Sequence, residues 1–515
     1  MAKSLPDLRL YFRLAFTRYT FVLGFPEHNE ELVTSALLFP RESAPWPFMT
    51  DPIQLLSEYI FFPSVSTDPK ARDGMRGAID FASRRLQTLG FAVEEIPTPL
   101  HPILYAERFV GEGLPHILIY GHYDVQPAEP LELWTKPPFE AEVRDNRLYG
   151  RGSADNKGPQ IVHMAALEQA LEKNPDLPLN ITYFIEGEEE IGSPSFRGFL
   201  KEYKERLAKA DFVLLSDTGS PSPDQIVITT ALRGLVSLQV ELTGPRMDLH
   251  SGIHGGAVRN PIQALATLLA TLHKEDGSVN LPGFYDGVSL PEPWEREELS
   301  LHPSNEEEYA EFLSVDEFFT APGYSALEAV RFGPTLEING IGGGFQGEGQ
   351  KTVIPSKAFA KITCRLVAGQ DAAHIEELLI KCLKERTPSG VRLEVEAHGR
   401  GNPYSIVPPG HSNTPSDQSS AIQKGFSVVE SAITKSFGKR PLYLREGGSV
   451  PIIADLKDIV GLDTIMVGLF TPEDNLHAPD ESFHLDILRN GISAFAEVFE
   501  ELAAKGALRL TSFGS

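Results

Sequence analysis

The sequence predicts an α/β protein, a mixed sheet flanked by helices, with an inserted domain of ferredoxin-like α+β type. Three observations predict it. Short apolar runs at His116–Tyr120, Ile181–Ile185 and Phe212–Leu215 are bounded by polar turns, as buried strands of a mostly parallel sheet are. Helical stretches at Ile53–Phe62, Met75–Leu89 and Pro159–Glu172 alternate with those runs, which is the order of an α/β unit. After Arg233-Gly234 the order changes to strand, helix, strand, strand, helix, strand. Those elements are Val236–Leu242, Pro261–His273, Thr335–Ile338, Ala358–Val367, Ala372–Lys384 and Val391–Ala397.

The boundaries follow from these patterns. Asp51 before Pro52 reads as a helix N-cap followed by proline in the first turn. Residues 1–50 therefore read as an extension, with no function attached. Its aromatic stretch is interrupted by Arg9, Arg13 and Arg18, a poor match to a signal peptide. Residues 51–232 form the first part of the α/β domain and 233–400 the inserted domain, itself interrupted by a Pro- and Glu-rich stretch at 277–330. After Arg400-Gly401-Asn402-Pro403 the α/β character returns over 401–515, with helices at Ser420–Ser436 and Leu485–Leu502 and a strand at Thr464–Leu469.

Composition narrows the function classes. The chain has 515 residues, 41% hydrophobic and 23% charged, enough apolar side chain for sizeable cores. Its 46 basic against 71 acidic residues give a net charge of −25. Such a surface repels phosphate backbones and anionic lipid, so neither nucleic acid nor a membrane is an expected partner. No apolar run reaches the ~20 residues of a bilayer span. Two cysteines, Cys364 and Cys382, exclude a disulfide scaffold and a Cys-based metal site, and they fit the cytoplasm.

Several predicted strands end in polar clusters, and sites of open α/β sheets gather at the carboxyl ends of strands. His122 and Asp124 follow the first run directly. Asp155 lies in the glycine-flanked turn Gly152–Gly158 before a helix. Glu188-Glu189-Glu190 follow another run, and adjacent carboxylates repel unless a cation or solvent relieves them. Ser216-Asp217 close a third run, and His477 sits in the loop after Thr464–Leu469. Taken singly, each has an ordinary explanation: a cap, an acidic turn, a loop histidine. Together they supply two histidines and three carboxylates at the strand ends of one sheet, a donor set for a pair of divalent cations.

Four motifs carry a resemblance. Gly121-His122-Tyr123-Asp124-Val125-Gln126-Pro127, Gly152-Ser153-Ala154-Asp155-Asn156-Lys157-Gly158, Glu189-Glu190-Ile191-Gly192-Ser193 and Asp248-Leu249-His250-Ser251-Gly252 resemble the co-catalytic zinc peptidase family of aminoacylases, carboxypeptidases and dipeptidases. That family includes acetylornithine deacetylase and succinyl-diaminopimelate desuccinylase. Arg445-Glu446-Gly447-Gly448-Ser449-Val450-Pro451 resembles its carnosinase and cytosolic non-specific dipeptidase branch in particular. The closing loop, with His477-Ala478-Pro479-Asp480-Glu481, looks more like the family's general pattern.

The resemblance implies hydrolysis of peptide bonds in short peptides, most simply dipeptides, with two divalent ions per subunit, zinc first and manganese as the alternative. It implies His122 and Asp217 on one metal, Glu190 and His477 on the other, and Asp155 bridging, with a cis peptide bond after Asp155. Glu189 becomes the general base and Asp124 the group that orients His122. The pair can also be framed as Glu188–Glu189, but the Gly192-Ser193 that follows favours Glu189–Glu190. His250 becomes an oxyanion donor supplied across a homodimer, and the inserted domain a lid and dimerisation domain. Arg365, Gly448, Ser449, Asn260 and Thr352 become substrate contacts. An N-acyl-amino-acid deacylase is the runner-up within the family, and a non-catalytic metal-binding relative the rival outside catalysis.

Overall fold

The computed structural model describes residues 50–411, 418–506 and 508. The extension assigned to 1–50 lies outside them but for its last residue.

The first helix runs Pro52–Ile60. The Asp51 carboxylate accepts the Ile53 N–H, with proline in the first turn, as the sequence predicts. Its apolar face, Leu55, Leu56, Tyr59 and Ile60, is buried, and so is that of the next helix, Arg72–Thr88. Strands His116–His122, Asn180–Glu186, Phe212–Gly219 and Thr464–Phe470 run parallel at the centre of a nine-stranded sheet. His116–His122 and Asn180–Glu186 are buried at every position, so neither shows the two-residue alternation of a half-exposed strand. Helix Lys157–Lys173 lies on the sheet and touches helix Pro52–Ile60 and helix Leu485–Ala504, which explains why it is buried along most of its length.

Five strands of this sheet have no counterpart among the elements expected from sequence: Ala92–Ile96, Ile103–Arg108, Val227–Leu232, Tyr404–Ser405 and Leu442–Glu446. The first two are antiparallel additions at one edge. Val227–Leu232 is antiparallel to Thr464–Phe470 and parallel to Leu442–Glu446.

The inserted domain has the predicted order. Gly234–Thr243, Thr335–Gly343, Lys357–Leu366 and Arg392–Gly401 form an antiparallel sheet, with Lys357–Leu366 and Gly234–Thr243 central and Thr335–Gly343 at one edge. Helices Pro261–Ala270 and Ala372–Arg386 cover one face and close a core separate from that of the large sheet. Helix Pro261–Ala270 stops short of the predicted His273, which instead bridges to Val279.

The stretch 277–330 was read as part of the inserted domain, but its helices dock elsewhere. Helices Pro293–Ser300 and Ala326–Phe332 pack on strand Leu442–Glu446 of the large sheet. Buried Glu295 binds Arg445 at 2.7 Å, and Glu298 accepts the Tyr443 N–H and pairs with Arg440. Among the described residues no helix is long and apolar enough to cross a membrane.

Candidate active site

The four parallel strands end at one edge of the sheet, and the candidate residues stand there. His122 is the last residue of its strand and Asp217 lies near the end of another. Glu189 and Glu190 form a short turn after Asn180–Glu186, and His477 is in the loop after Thr464–Phe470. Asp155 enters from the turn before helix Lys157–Lys173. Its peptide bond to Asn156 is cis, and Gly152 in the same turn has φ +85°. A Cβ on Gly158 would lie 2.1 Å from the Ser153 carbonyl oxygen, so the turn closes only with glycine there.

Asp155 lies between two imidazoles. Its Oδ1 is 3.0 Å from His122 Nε2 and its Oδ2 is 2.9 Å from His477 Nε2. Glu190 Oε2 is 3.5 Å from His477 Nε2, and Asp217 Oδ2 is 3.8 Å from His122 Nε2. Among the described residues no lysine or arginine pairs with Asp155, Glu190 or Asp217. The buried His122 Nε2 faces only carboxylates among the described residues, Asp155 at 3.0 Å and Asp217 at 3.8 Å, without a well-aligned hydrogen bond, and His122, Asp155 and Glu190 each offer a ligand atom within 4.8 Å of one another. Such an imidazole nitrogen amid carboxylates fits divalent cations.

The protonation equilibria express the same excess of negative charge. Burial pushes the Glu190 carboxyl up to about 10, aided by Asp155. Burial also raises Glu189 well above the carboxylate range, and the charges of Asp217, Asp155 and Asp124 add to that. For His122 burial opposes the charge, but Asp124, Asp155 and Asp217 outweigh it and hold the imidazole well above its usual value. His477 is raised by its bond to Asp155. Asp155 alone moves down: burial opposes its charge, and the two histidines prevail.

Surrounding groups fix each ligand. His122 Nδ1 lies 3.1 Å from the Asp124 carbonyl oxygen and 3.5 Å from its carboxylate, while that carboxylate accepts the N–H groups of Glu189 and Glu190. Asp124 therefore positions Glu189 and Glu190 as well as His122. Gln126 donates to Glu190 through its backbone N–H and its Nε2. Asn156 donates to Asp217 Oδ1 at 2.7 Å. Asp155 was weighed as a helix cap, yet Asn156 occupies that position and neither side chain caps the helix. Glu188 faces away and accepts from Thr98, His101 and Ser195, leaving Glu189–Glu190 as the pair facing the cluster. Gln126, Asn156 and Glu481 stand inside the sequence motifs. Their signal was adjacency to a ligand.

The remaining candidates fall into two groups. Arg365, on the lid strand Lys357–Leu366, donates to Ser449 Oγ at 2.7 Å, across the two domains. The Gly448 carbonyl oxygen accepts the Arg233 N–H. His250, Asn260 and Thr352 make no contact with the cluster within the chain. His250 is exposed and accepts the Gly252 N–H, Asn260 caps helix Pro261–Ala270, and the Thr352 carbonyl accepts the Ser251 N–H.

Residues 118–501 match peptidase family M20/M25/M40. The chain belongs to this family. The Cys-Gly metallodipeptidase dug1 of Schizosaccharomyces pombe is 30% identical over 87% of this chain and 95% of its own length. The human Beta-Ala-His dipeptidase is 29% identical over 88% of this chain and 90% of its own. The M20 family metallo-carboxypeptidase Sso-CP2 from Sulfolobus solfataricus superposes with a TM-score of 0.76 at 29% identity, covering 88% of this chain and all of that one. Within its family the enzyme stands with the metallodipeptidases, and its fold is theirs: a mixed catalytic sheet with an inserted lid.

Proposed function

We propose that the enzyme hydrolyses dipeptides bearing a free C-terminal carboxylate, using two divalent ions, zinc by preference. The observation that carries this reading is Asp155, with one carboxylate oxygen at His122 and the other at His477. His122 and Asp217 would hold one ion, Glu190 and His477 the other, and Asp155 both. Bound there, such ions supply acidification of a water and polarisation of the scissile carbonyl.

The chain's own groups do the rest. Glu189, buried beside the ligands, accepts the proton of the attacking water and returns it to the leaving amine. Asp124 fixes Glu189 through its backbone N–H. Arg365, held by Ser449, binds the terminal carboxylate; among the described residues it has no carboxylate within 4 Å, and burial lowers its pKa, so an anion is favoured beside it. His250, Asn260 and Thr352 act on the site of a second subunit in a homodimer, His250 as the oxyanion donor. The two thiols, buried and unpaired in the lid, are consistent with the cytoplasm.

The test is a kinetic comparison on the zinc-loaded and manganese-loaded protein. A free dipeptide should be cleaved, its C-terminal amide poorly, and the N-acetyl amino acid slowly. Arg365→Ala should remove most of the discrimination between acid and amide. Equal rates on acid and amide would reject the carboxylate clamp, and preference for the N-acetyl amino acid would make the enzyme a deacylase.

A further inference from the structure

Three guanidiniums stand around the turn that follows strand Leu442–Glu446, and none forms an ion pair. Arg365 donates to Ser449 Oγ, Arg233 Nε to the Gly447 carbonyl at 2.7 Å, and Arg331 Nη1 to the Leu327 carbonyl of its own helix at 3.1 Å. Among the described residues no carboxylate lies within 4 Å of any of them, in a chain with 71 acidic residues. Arg445 beside them is paired with Glu295, so the fold does neutralise an arginine here when nothing else is to use it. All three are partly buried. Burial and the charge of Arg365 push Arg233 down to about 10, and burial lowers Arg331; Glu446 opposes both shifts, and Glu337 that of Arg233. Half-buried cations, two of which repel each other, are costly unless an anion joins them.

Arg365 and Arg331 face different spaces. Arg331 lines a cavity of about 580 Å³ whose wall includes Gly219, two residues past Asp217, Leu476 and Ala478, on either side of His477, and Glu446, whose carboxylate accepts the Gly447 N–H. Arg365 and Ser449 do not line it. Gly219, Leu476 and Ala478 put this cavity beside the cluster, on the side where the half of a dipeptide remote from Arg365 would lie. We propose that the cavity is a subsite for an acidic side chain on the N-terminal residue, bound by the Arg331 guanidinium. The preferred substrates are then dipeptides carrying two carboxylates, one terminal and one on the first side chain. The inference rests on the dipeptidase reading above and names its substrate class.

Isosteric peptides test it on the metal-loaded enzyme. Glu-Ala and Gln-Ala differ only in whether the first side chain is charged, and kcat/KM for Glu-Ala should exceed that for Gln-Ala about tenfold or more. Arg331→Met should bring the ratio close to one, and Arg331→Lys should keep part of it. Circular dichroism of each variant shows whether it folds, and if Arg331→Met does not, the wild-type ratio decides alone. Equal kcat/KM on both peptides in wild type overturns the subsite while leaving the dipeptidase reading intact. A preference that survives in folded Arg331→Met overturns the role of Arg331. Failure to cleave either peptide, or Ala-Ala, rejects the dipeptidase reading itself.

Discussion

The carboxylate of Glu481 accepts the backbone N–H of Asp155 at 3.1 Å, and so ties the loop of one histidine to the turn of the carboxylate that meets it. The same side chain accepts from Ala154 N–H, Gly152 N–H and Arg151 Nη1, all at 2.7–2.9 Å, and is fully buried. Four donors converge on one carboxylate, and its neighbour four residues back is His477.

Glu481→Gln replaces an acceptor oxygen by an amide NH2 facing N–H donors, and leaves the buried Arg151 without its ion pair. Changes to groups that hold metal ligands typically cost ~10–100-fold in metal affinity or activity. We expect weakened binding of the second metal equivalent, measured by titration of the chelator-treated protein, with kcat falling more than KM. Stoichiometry and affinity equal to wild type would mean that Asp155 is held by other contacts.

Glu189 and Glu188 are neighbours with opposite orientations, so their glutamine variants should differ in kind. Glu189→Gln should keep both metals and the melting temperature and lose ~10²–10⁴-fold in kcat, the usual contribution of a general base. Glu188→Gln disturbs a carboxylate that accepts from Thr98, the His101 N–H and Ser195, so it should lower the melting temperature with a smaller loss of kcat. Metal analysis, thermal melts and steady-state rates on the pair decide between the two frames.

The fold was legible wherever burial is uniform or strictly periodic. His116–His122 announces itself as an unbroken apolar run, and Gly234–Thr243 alternates buried and half-buried along its length. Val227–Leu232 escaped because its middle is Thr229-Thr230, polar residues buried between neighbouring strands. The cluster was legible because each ligand abuts a strand end or a glycine turn. The partnering of Arg365 with Ser449 joins residues 84 positions apart on different domains, and without the resemblance no local pattern links them. The docking of 293–300 on the large sheet was hidden for the same reason: Glu295 and Glu298 look like surface acids until Arg445 and Arg440 are placed opposite them.

Removing the metals should make stability depend on pH with a definite sign. In the metal-free fold Glu190 is raised to about 10 and Glu186 to about 8 by burial, and Glu189, His122 and His477 are raised as well. Between the unfolded values and the raised ones the native state binds more protons, so stability falls as pH rises. Lys157, lowered by burial to about 7, acts in the opposite direction from there upward. Its ammonium donates to the Tyr59 and Phe62 carbonyls and to no metal ligand. The difference in melting temperature between metal-loaded and chelator-treated protein should therefore widen from about pH 5 to pH 9. Metal loading should also release protons, seen as a buffer-dependent heat in calorimetry. A gap that stays constant with pH would contradict the raised carboxyls.

Strand Thr335–Gly343 is an edge of the lid sheet, and it exposes Ile338 and Ile341 beside Phe359 of the next strand. Ile341 is 56% exposed and Ile262, on helix Pro261–Ala270, 37%. A free edge flanked by apolar side chains is a surface that proteins cover, and a symmetric copy of the same edge is the simplest cover. Sedimentation should give a dimer, and Ile341→Glu a monomer. Since His250 makes no contact with the cluster of its own chain, the monomer should also lose activity while keeping its metals. His250→Ala should cost ~10²–10³-fold in kcat, as loss of an oxyanion donor does. Trans action has a sharper signature. Glu189→Gln and His250→Ala are each inactive, but a hybrid dimer has one site with a working Glu189 facing a subunit with His250. Random exchange makes half the dimers hybrid with one working site of two, so mixing should restore about a quarter of wild-type activity. If His250 acts within its own chain, mixing restores none.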